Sequence, residues 1–351
     1  MQSGITLGEK RLTTPDYISP KIRVQIEEKL FSIINFKGRK AEEVKKTLVT
    51  AALTKDSVEN KAKELGISPQ TVRNYVEEQP QVIDQMLNVI KTISAKELGG
   101  RKRVKISIDW TSIEYKGKPV EGLGGSEKGY AWNYATATTR VKGKTLILAF
   151  TRVEKGMTRL KIVESLIQQI LALGLEIELV TLDAGFYSVD VINYLSRFNF
   201  IIGVPVGKVG IHRNFDGDYT VKSNGKKATF RLIVHHGRGK EYLAKGTNLD
   251  VNRSIVVKWY DKVRTPIETS YKLIKSFLIF TLSRSWLFRL FIFVLAMLIY
   301  TLYLLLKGTT SKEDFRLLLT ILLLQDNITI LQEYLVKLFY PLFNSLELFS
   351  G

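Results

Sequence analysis

Val104-Lys105-Ile106-Ser107-Ile108-Asp109 and Leu179-Val180-Thr181-Leu182-Asp183 are two short runs rich in β-branched residues, each closing on an aspartate. Such runs predict buried strands, with Asp109 and Asp183 at the strand ends and their side chains leaving the sheet. Around them the pattern predicts strands over 104–110, 130–139 and 144–151, a helix over 158–173, a strand over 176–182, a helix over 189–197 and a strand over 200–206. A last helix is expected from Thr265-Pro266-Ile267-Glu268, which reads as a capping box with proline at the first helical position, so that Glu268 opens it. The order β-β-β-α-β-α-β-α predicts an α/β fold with a mixed sheet flanked by helices. Before the last helix, residues 207–250 hold short strand-like pieces, Asp216-Gly217-Asp218 and Ser223-Asn224-Gly225 turns and many basic residues. They read as an inserted β-rich subdomain that carries cations for backbone phosphates, or as a solvated surface loop.

Upstream, residues 1–98 read as helices broken by polar turns. In the stretch 57–77, Val58, Ala62 and Leu65 recur at i, i+4 and i+7, Gly66 stops one helix, and Ser68 with Pro69 starts the next. This is a helix-turn-helix pattern, or an ordinary helical hairpin. In the first case Gln70, Thr71, Arg73 and Asn74 would face base edges or phosphates. Gly99-Gly100-Arg101-Lys102-Arg103 reads as a basic linker at a domain boundary.

The chain has 351 residues, with 52 Lys and Arg against 34 Asp and Glu, a formal net charge of +18. That balance favours a polyanionic partner: DNA, RNA or an anionic membrane face. The absence of cysteine excludes disulfides and Cys-based zinc sites and fits an intracellular protein. His235 and His236 are adjacent and lack acidic neighbours at metal-ligand spacing, so no histidine metal site is expected. Met1 to Glu9 lacks the long apolar run of a secretory signal. Leu290 to Leu306 is free of charge between Arg289 and Lys307, and Phe315 to Leu324 is a second, shorter apolar segment. The first is either a short membrane span or a helix apolar all round inside a large core.

Gly143-Lys144-Thr145 is not a phosphate loop, because position 138 is Thr where that motif needs Gly, and Gly122-Leu123-Gly124-Gly125-Ser126 reads as a turn. The three carboxylates carry more. Asp109 ends a strand expected to be central, where an uncompensated charge is costly and a divalent cation would offset the cost. Asp183 precedes Ala184-Gly185-Phe186-Tyr187, where glycine permits a sharp turn and the aromatics can wall off a site. Near Glu268, Tyr260 and Arg264 precede at intervals of four, Lys272 lies four on and Lys275 seven on, which gathers phosphate-binding groups at one helix edge. Magnesium suits fixed carboxylates because it takes oxygen ligands and keeps several waters. Two such ions about 4 Å apart can drive in-line displacement at phosphorus.

Residues 104–284 resemble the DDE transposases of prokaryotic insertion sequences, which have an RNase H-like (retroviral-integrase-like) core. The likeness rests on Ser107-Ile108-Asp109, on Thr181-Leu182-Asp183-Ala184-Gly185-Phe186-Tyr187, and on Tyr260, Arg264, Glu268 and Lys275, which resemble the Tyr-Arg-Glu-Lys signature of one branch. The resemblance implies that Asp109, Asp183 and Glu268 are catalytic and bind two magnesium ions, for which manganese can substitute. It also implies that Tyr260, Arg264 and Lys275, with Lys272 nearby, grip DNA. Three residues separate Tyr260 from Arg264 where the signature has two, and no Trp lies between 184 and 258, so a hairpin route is not expected.

The expected organisation is a helical DNA-binding region over 1–98, an RNase H-like core over 99–284 with its β-rich insertion, and apolar C-terminal helices over 285–351 that cover the sheet or form an oligomer interface. The expected function is transposition: cleavage and strand transfer of DNA at terminal inverted repeats, into target DNA, by a homodimer in a synaptic complex, cytoplasmic and nucleoid-associated, with no membrane partner. The rival readings are a membrane-tethered, non-enzymatic DNA-binding regulator and an inactive transposase remnant.

Overall fold

The computed structural model describes residues 34–126, 129–205, 215–236, 242–306, 311–317 and 319–320. The N-terminal stretch 1–33, segments 207–214 and 237–241 of the basic insertion, and half of the second apolar segment (318 and 321–324) lie outside these residues.

Among the described residues four helices come first: α1 (Ala41–Thr54), α2 (Val58–Glu64), α3 (Pro69–Glu78) and α4 (Gln81–Leu98). Their ends follow from local chemistry. The Ser57 hydroxyl accepts from the Asn60 N–H and the Ser68 hydroxyl from the Gln70 N–H, with Pro69 in the first turn of α3. Gly66 and Gly99 have φ of +69° and +60°, the left-handed conformation that ends a helix at no Cβ penalty.

Nine strands then form one sheet. β1 (Arg103–Tyr115) pairs antiparallel with β3 (Gly129–Val141), which on its other side carries β4 (Lys144–Val153) and the short β2 (Gly124–Ser126). The glycine-rich stretch read as a turn thus supplies an edge strand. On its second side β1 pairs parallel with β5 (Glu176–Leu182), and β5 pairs parallel with β6 (Phe200–Val204). Helix α5 (Arg159–Ala172) connects β4 to β5 and α6 (Val189–Leu195) connects β5 to β6.

The insertion differs from expectation. Its strands β7 (Asp216–Ser223), β8 (Lys226–His236) and β9 (Tyr242–Thr247) are no separate subdomain: β9 pairs antiparallel with β6, so the main sheet runs on through β8 to β7. An unpaired β6 edge would expose a row of N–H and C=O groups, and β9 covers it.

Helix α7 (Arg253–Ser276) is one continuous helix started by Asn252, whose side chain accepts from the Ser254 N–H. Pro266 lies inside it, so the expected capping box does not form and Glu268 sits mid-helix. Helix α8 (Trp286–Leu306) packs against α4, α7 and β4. Phe293 stacks on Tyr134 at 4.0 Å, and the Tyr300 hydroxyl donates to the Thr145 carbonyl at 2.8 Å. It is long and apolar enough to cross a membrane, yet 78% of its most apolar 18-residue window is buried by the rest of the chain. One hydrophobic cluster runs from α1–α4 through the sheet to α8.

Candidate functional site

Asp109 lies in the middle of β1, not at its end, because the strand continues for six residues to Tyr115 along β3. Its neighbour β5 stops at Leu182, and the register pairs Ile108 with Leu182. Asp109 and Asp183 therefore follow the same rung of two adjacent parallel strands and leave the sheet side by side. Asp183 caps the 3₁₀ turn Ala184–Phe186, its Oδ1 accepting from the Gly185 N–H at 2.6 Å. A Cβ at Gly203 on β6 would meet the Ala184 nitrogen at 2.7 Å, so glycine is what lets β6 pass this turn. Phe186 is buried against Trp110, ring centroids 5.1 Å apart, and forms the floor beside the two aspartates.

Helix α7 lies over the same side of the sheet. Tyr271, buried, donates to the Asp109 carbonyl at 2.7 Å and shares a hydrogen bond of 2.8 Å with the Thr136 hydroxyl. One turn before Glu268, Arg264 brings the cluster together: its Nη2 lies 3.9 Å from Asp109 Oδ2 and 3.5 Å from Asp183 Oδ2, while Nη1 pairs with Glu268 Oε1. Asp109 is 6% exposed. Burial first, then the Asp183 charge, push its carboxyl up to about 7, against the opposing pull of Arg264. The site holds more negative charge than one guanidinium neutralises.

These three carboxylates supply oxygen donors of the kind magnesium takes. Each is turned toward Arg264, and no group of three acidic or histidine side chains is gathered closely enough to cage an ion among the described residues. Carboxylate oxygens are the donor type that a hard divalent cation takes, and in this arrangement they face the Arg264 guanidinium.

Of the other expected residues, Tyr260 is buried beside Arg264, Lys275 donates to the Ser112 carbonyl at 3.1 Å, and Lys272 is exposed one turn beyond Glu268. A cavity of about 820 Å³ opens next to Asp183, bordered by Trp110, Ser112, Gly185 and Lys275. Gln70, Thr71, Arg73 and Asn74 form a separate group on α3. Gln70 and Asn74 are exposed and bonded to each other at 2.7 Å. Arg73 is turned inward to Glu59, which also accepts from the Leu282 N–H and the Thr281 hydroxyl, so it ties α3 to the segment after α7 and is not displayed for base contacts. Leu65, read as a core position, is 40% exposed because α2 ends before it.

Two residues of the site, Lys245 and Tyr271, are missing from the candidates read in the sequence. Lys245 on β9 is 7% exposed with its Nζ 3.8 Å from the centre of the Tyr260 ring. Burial lowers its ammonium to about 8. Nothing around Lys245 in the chain marks it, since only the β6–β9 pairing brings it near. Tyr271 does have a signal, three residues after Glu268 on the same helix.

The nine-stranded mixed sheet with its helices is similar in fold to a solved transposase. A structure described as the piggyBac transposase synaptic complex with hairpin DNA, solved by cryo-EM, aligns over 90% of this chain and 79% of that one, with a TM-score of 0.54 and 10% sequence identity. At that identity the likeness is one of fold. A family described as a domain of unknown function (DUF4322) matches residues 21–78, which include α1, α2 and α3. No curated protein matches the chain.

Proposed function

We propose that the chain is a DDE transposase with an RNase H-like core, of the insertion-sequence branch with the Tyr-Arg-Glu-Lys signature, acting on DNA in the cytoplasm at the nucleoid. One observation carries the reading: three carboxylates far apart in sequence, Asp109, Asp183 and Glu268, converge on a single guanidinium, and the most buried of them, Asp109, is pushed up to about 7 by burial and then by the Asp183 charge. A structural ion-pair network would balance its charges, whereas a site built for divalent cations and phosphate would not.

In this reading Asp109, Asp183 and Glu268 hold magnesium, or manganese in its place. When bound, the ions supply Lewis acidity to the scissile phosphate and lower the pKa of an attacking water or 3′-hydroxyl. The chain's own groups do the rest. Arg264, freed from Glu268, and Lys275 at the cavity rim grip non-bridging phosphate oxygens. Tyr260, one turn before it on α7, and Lys245 on β9 back Arg264, and Trp110 with Phe186 fixes the aspartate pair. Gln70 and Asn74 on α3 contact the terminal repeats, with Thr71 beside them and Arg73 holding the unit to the core. The structural neighbour is a complex with hairpin DNA, which supports DNA as the partner here, and a homodimer is the proposed assembly.

Asp109→Asn and Glu268→Gln should each reduce magnesium-dependent cleavage of a DNA duplex carrying the element's own ends by at least about 10³-fold, while binding of that duplex changes less than about threefold. Normal cleavage by either variant would sink the assignment. That 78% of the most apolar window of α8 is buried by the rest of the chain supports a core helix over the tether that a membrane-bound regulator would need.

A further inference from the structure

On the flank of α7 turned away from the carboxylates lies a groove of about 450 Å³ whose lining carries Arg101, Arg103, Lys105, Arg140, Lys142 and Lys262 against the single carboxylate of Glu178. At about 100° per residue, Trp259 and Lys262, which line it, sit roughly 60° apart on α7, and Glu268 lies roughly 180° from Trp259. The groove and the carboxylate site therefore share one helix as their dividing wall.

Charge in this groove is left uncompensated. Lys105 pairs with Glu178 and Arg103 with Glu176, both at 3.2 Å. Arg101, Arg140, Lys142 and Lys262 have no acidic partner among the described residues, and all four are exposed. Solvated basic residues are ordinary when scattered, but here they come from separate elements: the linker before β1, the end of β3 with the turn after it, and α7. The turn is built to present them. Lys142 and Gly143 have φ of +47° and +79°, the mirror-image conformation that joins two twisted strands, where Asn, Asp or Gly is the usual first residue. A lysine held there sets a cation at the rim. Trp259 adds a half-buried aromatic face with the Lys105 ammonium 4.8 Å from its centre.

We propose that this groove binds the phosphodiester backbone of DNA, as a track separate from the strand being cut. Arg103 and Lys105 alternate on β1, so they project to one side about 6.6 Å apart, a separation of the order of successive phosphates along one strand. Cations spread along an open groove suit a polyanion better than a compact phosphate ligand, which is held by clustered backbone N–H groups. The chain's net charge of +18 draws such a polymer in. This inference goes beyond the strand-transfer reading and does not need it: the track could bind DNA in a protein that cuts nothing.

The test uses the full chain and fluorescence anisotropy with a labelled duplex of random sequence, which removes any contribution from end recognition. The triple variant Arg140→Glu, Lys142→Glu, Lys262→Glu should weaken binding at least tenfold at about 100 mM salt. It should also flatten the slope of log K against log salt by about 2 to 3, from some 0.9 per lost phosphate contact. A control triple with the same charge change, Lys96→Glu, Arg159→Glu, Lys161→Glu, should change affinity less than threefold, and the neutral triple Arg140→Gln, Lys142→Gln, Lys262→Gln should fall between them. Trp259→Ala should lower affinity for a single-stranded probe more than for the duplex. Equal losses in the groove and control triples would show a bulk charge effect and overturn the proposal, as would an unchanged salt slope. Because binding alone is read, failure here leaves cleavage by Asp109, Asp183 and Glu268 untouched, and the reverse.

Discussion

Lys245 and Arg264 show how single residues set the balance between stability and chemistry at this site. The Lys245 ammonium is buried on the Tyr260 ring and is lowered to about 8 from an ordinary 10.5. The unfolded chain therefore binds a proton more readily than the folded one between those values, so stability rises as pH climbs from about 8 to 10.5 and the penalty is complete below 8. Lys245→Met should raise unfolding free energy at pH 7 by on the order of 1–3 kcal/mol, a gain that shrinks by pH 10 in denaturant titrations. The same substitution should weaken DNA binding, the usual exchange where a desolvated charge serves function. Arg264 predicts a competition. Its guanidinium reaches all three carboxylates, so it opposes a cation entering among them. Arg264→Gln should lower the melting temperature in chelator by several degrees, while 10 mM magnesium should restore more stability to the variant than to the parent chain. Equal magnesium shifts in both would mean that the carboxylates do not hold the ion.

At the scale of elements, α7 carries the most information and was the least legible. Proline at 266 after Thr265 reads as a helix start, yet the helix begins thirteen residues earlier at Arg253. Proline is tolerated because the carbonyl it leaves without a partner, that of Lys262, lies on the solvent flank where water can satisfy it. With α7 continuous, Tyr260, Arg264, Glu268 and Tyr271 are locked in one register. Tyr271→Phe tests that register: it removes a buried hydroxyl bonded to β1 and β3, and should cost about 1–2 kcal/mol in urea unfolding. The strands were far more legible, and β5 runs as read, Glu176–Leu182, because from Leu179 to Leu182 both of its faces are buried and β-branched and apolar residues dominate. The position of Asp109 was not, since nothing in residues 110–115 ends a strand and only pairing with β3 carries β1 onward. Between α2 and the segment after α7, Glu59 accepts from Arg73, Thr281 and Leu282. Although burial opposes it, these donors hold the Glu59 carboxyl below the usual 4.5. Its stabilising contribution is present above that value and is lost as pH falls through the lower folded one. Glu59→Gln should therefore destabilise the chain at pH 7 and matter progressively less below pH 4, followed by circular dichroism.

At the scale of the molecule, the sheet and the apolar helix α8 decide what kind of object this is. Composition alone left α8 open between a membrane span and a core helix, because both need the same residues. What separates them is what the helix touches. In the fold Phe293 stacks on Tyr134, Tyr300 reaches the Thr145 carbonyl, and Leu295 and Ala296 have no exposed surface. A span in lipid would tolerate a lysine near its centre at about 2.5–3.5 kcal/mol, since the side chain can reach toward the interface. A packed core has no such escape: the ammonium would be desolvated without a partner and would displace neighbours packed at the density of a crystal. Leu295→Lys should therefore abolish the cooperative unfolding transition, and with it DNA binding by both α3 and the basic groove, since helices and sheet share one core. The parent chain should fold without detergent and stay at the bottom of a gradient in which neutral phosphatidylcholine vesicles float. Flotation of the parent, together with a Leu295→Lys variant that still binds DNA normally, would return α8 to the membrane and leave the sheet to be covered by something else.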